Sequence, residues 1–168
     1  MKLKNKTKAK AVAPATPSSD TLADHLIRPV LAGDLEKIIA VDAQTTGIEK
    51  AEYWRQRFHG YVAQGRQPSY FLVAERNGDI DGLIIGEIRD WEFGTPPCGW
   101  VFGISVRPEA RLSGVATGLL NALCDSFRKA GMTKVRTLLV FDDLLVMKFY
   151  RSQGMMAAPI ITLERELD

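Results

Sequence analysis

The stretch Val101-Phe-Gly-Ile-Ser-Val-Arg-Pro-Glu-Ala-Arg-Leu-Ser-Gly-Val-Ala-Thr-Gly-Leu-Leu120 decides the fold. Its first part, with Trp100 before it, is apolar and biased to β-branched residues. It stops at Arg107-Pro108, where proline lacks an amide donor and restricts the residue before it. This predicts a strand over 100–106. Apolar residues return at Val115, Leu119, Leu123 and Phe127, with Ala116 and Leu120 alongside, a spacing that lines one face of a helix over 114–130. The loop between them, Arg111-Leu-Ser-Gly-Val-Ala116, delivers the chain to a helix N-terminus. Ser113, Gly114 and Ala116 are small enough for a ligand to approach the backbone, and the free amides of the first turn, aligned with the helix dipole, form an anion site. A pyrophosphate suits it. No Gly-Lys-Ser/Thr follows and no G-x-G-x-x-G is present, so neither the P-loop nor the dinucleotide fingerprint applies.

Downstream, Gly131 closes the helix as a C-cap, and Lys134 to Phe141 predicts a strand parallel to 100–106, because a right-handed helical crossover separates the two. Asp142-Asp143 opens a helix to about Gln153, which Gly154 stops. The alternation of Ile161, Leu163 and Leu167 with Thr162, Glu164 and Glu166 predicts a half-exposed terminal strand over 160–167. Upstream, Asn77-Gly78 is a strong hairpin signal, joining Tyr70–Glu75 to a strand from Ile80 to about Trp91. The turn Gly94–Gly99 then feeds the deciding strand. A short strand over 25–30, a helix opened by Gly33-Asp34, and a second helix from Glu49 to about Gln64 complete the order. In that second helix Tyr53, Trp54, Phe58 and Tyr61 recur at three- and four-residue spacing, a pattern more typical of core than of a ligand box.

With 168 residues, 46% of them hydrophobic and 25% charged, the chain fits one soluble globular domain plus a tail. Lys2, Lys4, Lys6, Lys8 and Lys10 against Asp20 place +4 in the first twenty residues; since the whole chain carries +2, the rest is mildly acidic at −2. Residues 1–22 alternate lysine with small and polar residues, then run into Ala, Pro and Ser, too little apolar surface to offset ordering entropy. They are expected to form a disordered basic tail, and residues 23–168 the domain. No run of about 18 apolar residues spans a membrane, and no apolar segment of about 7–15 residues follows the basic start as in a signal peptide. Cytoplasm is the expected compartment. Cys98 and Cys124 stand alone, with only His25 and His59 as further soft ligands, which argues against a disulfide framework or a structural metal.

Three further stretches fall in register with this order. Ile27-Arg-Pro-Val-Leu-Ala-Gly-Asp34 resembles the opening "I-R-P-x-x-x-x-D", Val106 to Ala116 resembles "V-x-P-x-x-R-x-x-G-x-G/A", and Phe149-Tyr-Arg-Ser-Gln-Gly-Met155 resembles "F/L-Y-x-x-x-G-F", all features of the GNAT N-acetyltransferase superfamily. The likeness covers about residues 26–167. Ala116 stands where glycine is commoner, Ser113 where glycine or lysine is frequent, Asp143 where asparagine is usual, and Met155 where phenylalanine is. The resemblance implies a mixed α+β fold of order β-α-α-β-β-β-α-β-α-β, with a twisted, mostly antiparallel sheet of six or seven strands and flanking helices.

The resemblance also implies acetyl-CoA as co-substrate, with no metal. The diphosphate would sit on Arg111, Leu112, Ser113, Gly114, Val115, Ala116 and Thr117. The pantetheine arm would pair with Ile104, Ser105 and Val106, and Asp143 would accept from one of its amides. Tyr150 matches the family tyrosine and is the candidate general acid for the departing thiolate; its other reading is a core aromatic. No carboxylate lies between Gly99 and Val106, so the candidate bases are Glu87 and Glu92 on or just after the preceding strand. Five apart, they face opposite sides of a regular strand, so at most one points inward. The expected activity is acetyl transfer to a primary amine, of a protein lysine or N-terminus or of a small molecule. The alternative is a non-catalytic acyl-CoA-binding module of the same fold. Nucleic acid finds no recognition motif in the domain, no membrane partner is expected, and the reading leaves room for a homodimer.

Overall fold

The structure, a computed structural model, describes residues 24–63, 69–91 and 94–167. The expected tail, Gly65 and Glu92 lie outside the described residues. Five strands form one sheet in chain order: β1 (Leu26–Pro29), β2 (Ser69–Arg76), β3 (Asp79–Arg89), β4 (Cys98–Val106) and β5 (Val135–Thr137). The first four pair antiparallel, and β5 joins β4 in parallel. The β2–β3 turn is made by Asn77 and Gly78, both at positive φ (53° and 83°), the backbone that lets a two-residue loop follow the strand twist.

Helices cover both faces. α1 (Leu35–Thr46) and α2 (Ala51–Ala63) pack on one face, α3 (Val115–Lys129) and α4 (Leu144–Ser152) on the other. This is why β2 and β3 are apolar almost continuously: Phe71, Val73, Leu83 and Ile85 pack towards Ile38, Val41, Trp54 and Phe58, while Leu72, Ala74, Ile84 and Ile88 pack towards Leu119, Leu123 and Phe127. α3 comes so close that a Cβ at Gly99 would run into the Phe127 ring, and one at Gly86 would stand 2.9 Å from the Leu123 and Phe127 side chains. Gly131, at φ 83°, ends α3, with the Met132 amide donating back to the Phe127 carbonyl at 2.9 Å.

The IRP-to-Asp stretch is a clamp. Arg28 on β1 reaches Asp34 with both terminal nitrogens, at 2.7 and 3.0 Å, and Glu75 of β2 with Nε at 2.6 Å. Asp34 also accepts the Leu31 amide at 2.7 Å, which ties the end of β1 to the turn that starts α1. The Arg28 guanidinium holds the Asp34 carboxyl below the usual carboxylate range.

Two expectations about strands are corrected. The strand expected over 134–141 is a ladder of three pairs only, Gly99 with Val135, Trp100 with Arg136 and Val101 with Thr137; Leu138, Val140 and Phe141 then leave the sheet and are exposed. The terminal strand over 160–167 does not form, and Ile161, Leu163 and Leu167 are exposed. Alternation suits a strand but needs an edge to pair with, and so short a β5 offers a poor one, while Pro159 lacks an amide. The sheet therefore has five strands among the described residues instead of six or seven. None of the described helices is long and apolar enough to cross a membrane.

Candidate active site

The site begins where β4 and β5 part. Opposite Ile85 and Gly86 of β3 the register slips, leaving Phe102 of β4 without a counterpart, a bulge that increases local twist. Beyond it β5 is gone, so the edge of Phe102–Val106 that faces away from β3 has no strand partner among the described residues. Ile104 and Ser105 are half-buried and Val106 is buried. A Cβ at Gly103 would meet nothing within 4 Å. An extended amide-bearing chain fits this edge as a strand would.

The loop after β4 fits an anion. A short 3-10 turn, Pro108–Ala110, leads to Arg111, whose Nε donates to the Val106 carbonyl at a long 3.4 Å. Leu112 and Gly114 both have positive φ (63° and 84°), and the Leu112 side chain is fully exposed. Ser113 turns its hydroxyl onto the Ala110 carbonyl at 2.6 Å. Gly114 is the N-cap of α3 and supplies no side-chain cap, so the amides of Val115, Ala116 and Thr117 in the first turn keep their donors. The Val115 side chain itself is in the core. Arg107, just before the loop, has a buried Nε with no hydrogen-bond partner. These observations fit a diphosphate, as the sequence leads one to expect.

On the α4 side, Tyr150 is 5% exposed and packs in the core. It also lines a cavity of about 510 Å³ with Trp100, Thr137 and Met155. Burial pushes its phenol above the usual range, while the Thr137 hydroxyl beside it pulls the other way. Thr137 is the last residue of β5 and donates to the Val101 carbonyl at 3.1 Å, so Tyr150 stands at the point of parting. Its proton is held at neutral pH, a requirement for an acid. Asp143 caps α4, its Oδ1 accepting the Val146 amide at 3.0 Å, the helix start that Asp142-Asp143 marks in the sequence.

On the α2 side lie two cavities, of about 440 and 160 Å³, that share Tyr53, Arg57 and Tyr61. The larger is closed by Glu87 and the smaller by Gly103, Ile104 and Ser105. Glu87 is thus brought to the site, half-buried and accepting from Arg89 Nε at 2.9 Å; the Arg89 guanidinium lies over the rings of Trp100 and Phe102. The aromatic run in α2 splits by face: Trp54 and Phe58 are buried, while Tyr53 is 45% exposed and with Tyr61 walls the cavities. Asp42, buried under the smaller cavity, accepts Lys50 at 2.9 Å and Trp54 Nε1 at 2.8 Å. Sequence reasoning missed Asp42, Lys50 and Arg57; the repeat Tyr53, Arg57, Tyr61, one residue out of phase with Trp54 and Phe58, was the available signal.

A profile of the acetyltransferase (GNAT) family matches residues 35–155. Among solved structures, the chain is similar to the aminoglycoside antibiotic 6'-N-acetyltransferase AAC(6')-IG from Acinetobacter haemolyticus, with TM-score 0.72 and 21% identity over 85% of this chain and 99% of that one. It is similar to AAC(6')-Iy in complex with the bisubstrate analogue CoA-S-monomethyl-acetylneamine, with TM-score 0.73 and 19% identity over 86% and 99%. A transcriptional regulator from Bacillus halodurans aligns with TM-score 0.72 and 16% identity over 85% and 99%. At these identities the structures speak for the fold, and the family match speaks for the activity. Together with a split sheet edge and an uncapped helix start suited to acetyl-CoA, they place the chain in the acetyltransferase (GNAT) family, as an acetyl-CoA-dependent N-acetyltransferase.

Proposed function

We propose that the chain acetylates a primary amine that enters from the α2 side, between the Glu87 cavity and the unpaired edge of β4. The observation that carries this reading is the parting of β4 and β5 with a buried, protonated tyrosine on one side and a carboxylate-lined cavity on the other. Arg111 to Thr117 and the edge of Ile104 to Val106 hold the co-substrate, which supplies an activated acetyl thioester. Glu87 accepts a proton from the incoming ammonium, directly or through water, so that the nitrogen has a lone pair to attack with. As the N–C bond forms and the C–S bond breaks, an amide of the open β4 edge donates to the carbonyl oxygen, and Tyr150 gives its proton to the departing sulfur. The ammonium's second proton leaves the amide nitrogen, and Tyr150 is reprotonated from solvent. Products are the N-acetyl amine, free CoA thiol and one proton.

Tyr150→Phe tests the assignment, since it keeps the ring and its packing. General acid catalysis is worth about 10²–10⁴-fold, whereas a lost neutral hydrogen bond costs about 1 kcal/mol, or about fivefold. A hundredfold fall in kcat with acetyl-CoA affinity unchanged is expected. Turnover within about threefold of wild type removes Tyr150 as the acid.

A further inference from the structure

The acceptor cavities are bipolar. Among the described residues four charged side chains line them: Asp42, Lys50, Arg57 and Glu87. Asp42 is 4% exposed and already answered by Lys50 and Trp54. Glu87 on the sheet side shares its charge with Arg89. Arg57, on the helix side, makes no ion pair with any described residue; its guanidinium lies over the Tyr53 ring, 5.5 Å from the centroid. Beside it the Tyr61 hydroxyl is buried with no hydrogen-bond partner, since Arg57 comes close without meeting hydrogen-bond geometry. A buried donor left unmet is costly, and a guanidinium fork facing a cavity is matched by a carboxylate.

Resting on the acceptor cavity assigned above, we propose that the acceptor is an amine that also bears a carboxylate, an amino acid or a close derivative, held with its ammonium towards Glu87 and its carboxylate on Arg57 and Tyr61. A polyamine has no second carboxylate to meet, because Asp42 is neutralised, and it meets the positive charge of Arg57 instead. The chain therefore differs in acceptor class from the aminoglycoside enzymes whose fold it shares.

The test is calorimetric binding to the full chain in the presence of CoA, using each of the twenty amino acids against its own amide, with phenethylamine, cadaverine and neamine as carboxylate-free amines. At least one acid is expected to bind tenfold or more tighter than its amide. Arg57→Ala should bring that ratio to within about twofold of one and leave CoA affinity unchanged, and Tyr61→Phe should lower it severalfold. Amides or carboxylate-free amines binding as well as every acid, or an Arg57→Ala ratio equal to wild type, would overturn the proposal. Turnover on the same pairs separates the two readings. An acid that binds selectively without being acetylated keeps the acceptor class and removes the transfer reading, whereas equal acetylation of acid and amide keeps transfer and removes the class.

Discussion

Gly114 carries two demands at once. Its φ of 84° lies where a Cβ is strained, by about 1 kcal/mol for an ordinary residue, and it opens α3 among amides that await an anion. Gly114→Ala should therefore cost about 1 kcal/mol in urea unfolding and weaken CoA binding modestly. Gly114→Asp adds a carboxylate to the same amides and should reduce CoA affinity at least a hundredfold in calorimetry, with a similar stability loss; unchanged affinity would remove the diphosphate from this loop. Gly114 was legible as the start of α3, because a turn glycine before a periodic apolar run marks where a helix begins. Arg57 was not, since an exposed arginine on a helix resembles any other until the fold shows that Tyr53 and Tyr61 flank it over a cavity. Glu87 falls between: the sequence offered it and Glu92 as equals, and the fold puts Glu87 in the wall of the α2 cavity, while Glu92 lies outside the described residues.

Among the elements, β1 depends most on one clamp. Arg28 joins Asp34 and Glu75 with three short charge-assisted bonds, each worth about 1.5–3 kcal/mol when a charged group takes part. Asp34→Asn keeps the shape and should destabilise by about 2 kcal/mol at neutral pH. Because Arg28 holds the folded carboxyl below its ordinary value, the pair's contribution is complete above the unfolded value, about 3.9, and drains as pH falls through the folded one. The gap between wild type and Asp34→Asn in urea midpoints should narrow from about pH 5 downward; a gap constant with pH would deny the linkage. Helices and hairpins were legible because caps, glycines and spacing are local signals: Asn77-Gly78 and Gly131 do in the structure what their chemistry predicts. The strands at 134–141 and 160–167 were overread, since a strand's length is set by its partner, and the bulge at Phe102 that takes the partner away leaves no mark in the sequence near Leu138.

For the molecule as a whole, the basic start and the mildly acidic remainder are separable in charge. Removing residues 1–22 should leave the melting temperature within about 2 °C and turnover within about twofold; larger losses would mean the segment contributes to the domain. The overall order of elements was legible because a three-strand meander, β2 to β4, and one crossover leave few ways to connect a sheet. What holds the two sides of the active site together is far less even. β4 shares eight register pairs with β3 but three with β5, and the chain beyond Thr137 returns to the body mainly through α4. Cooperative opening follows such unequal seams. Amides of β3 and β4 should therefore exchange with deuterated solvent only through global unfolding, while those of β5 and α4 exchange through a cheaper hinge-like opening. A ligand laid along the seam would close that route, making slowed exchange at Val135–Ser152 a readout of occupancy that requires no chemistry at all.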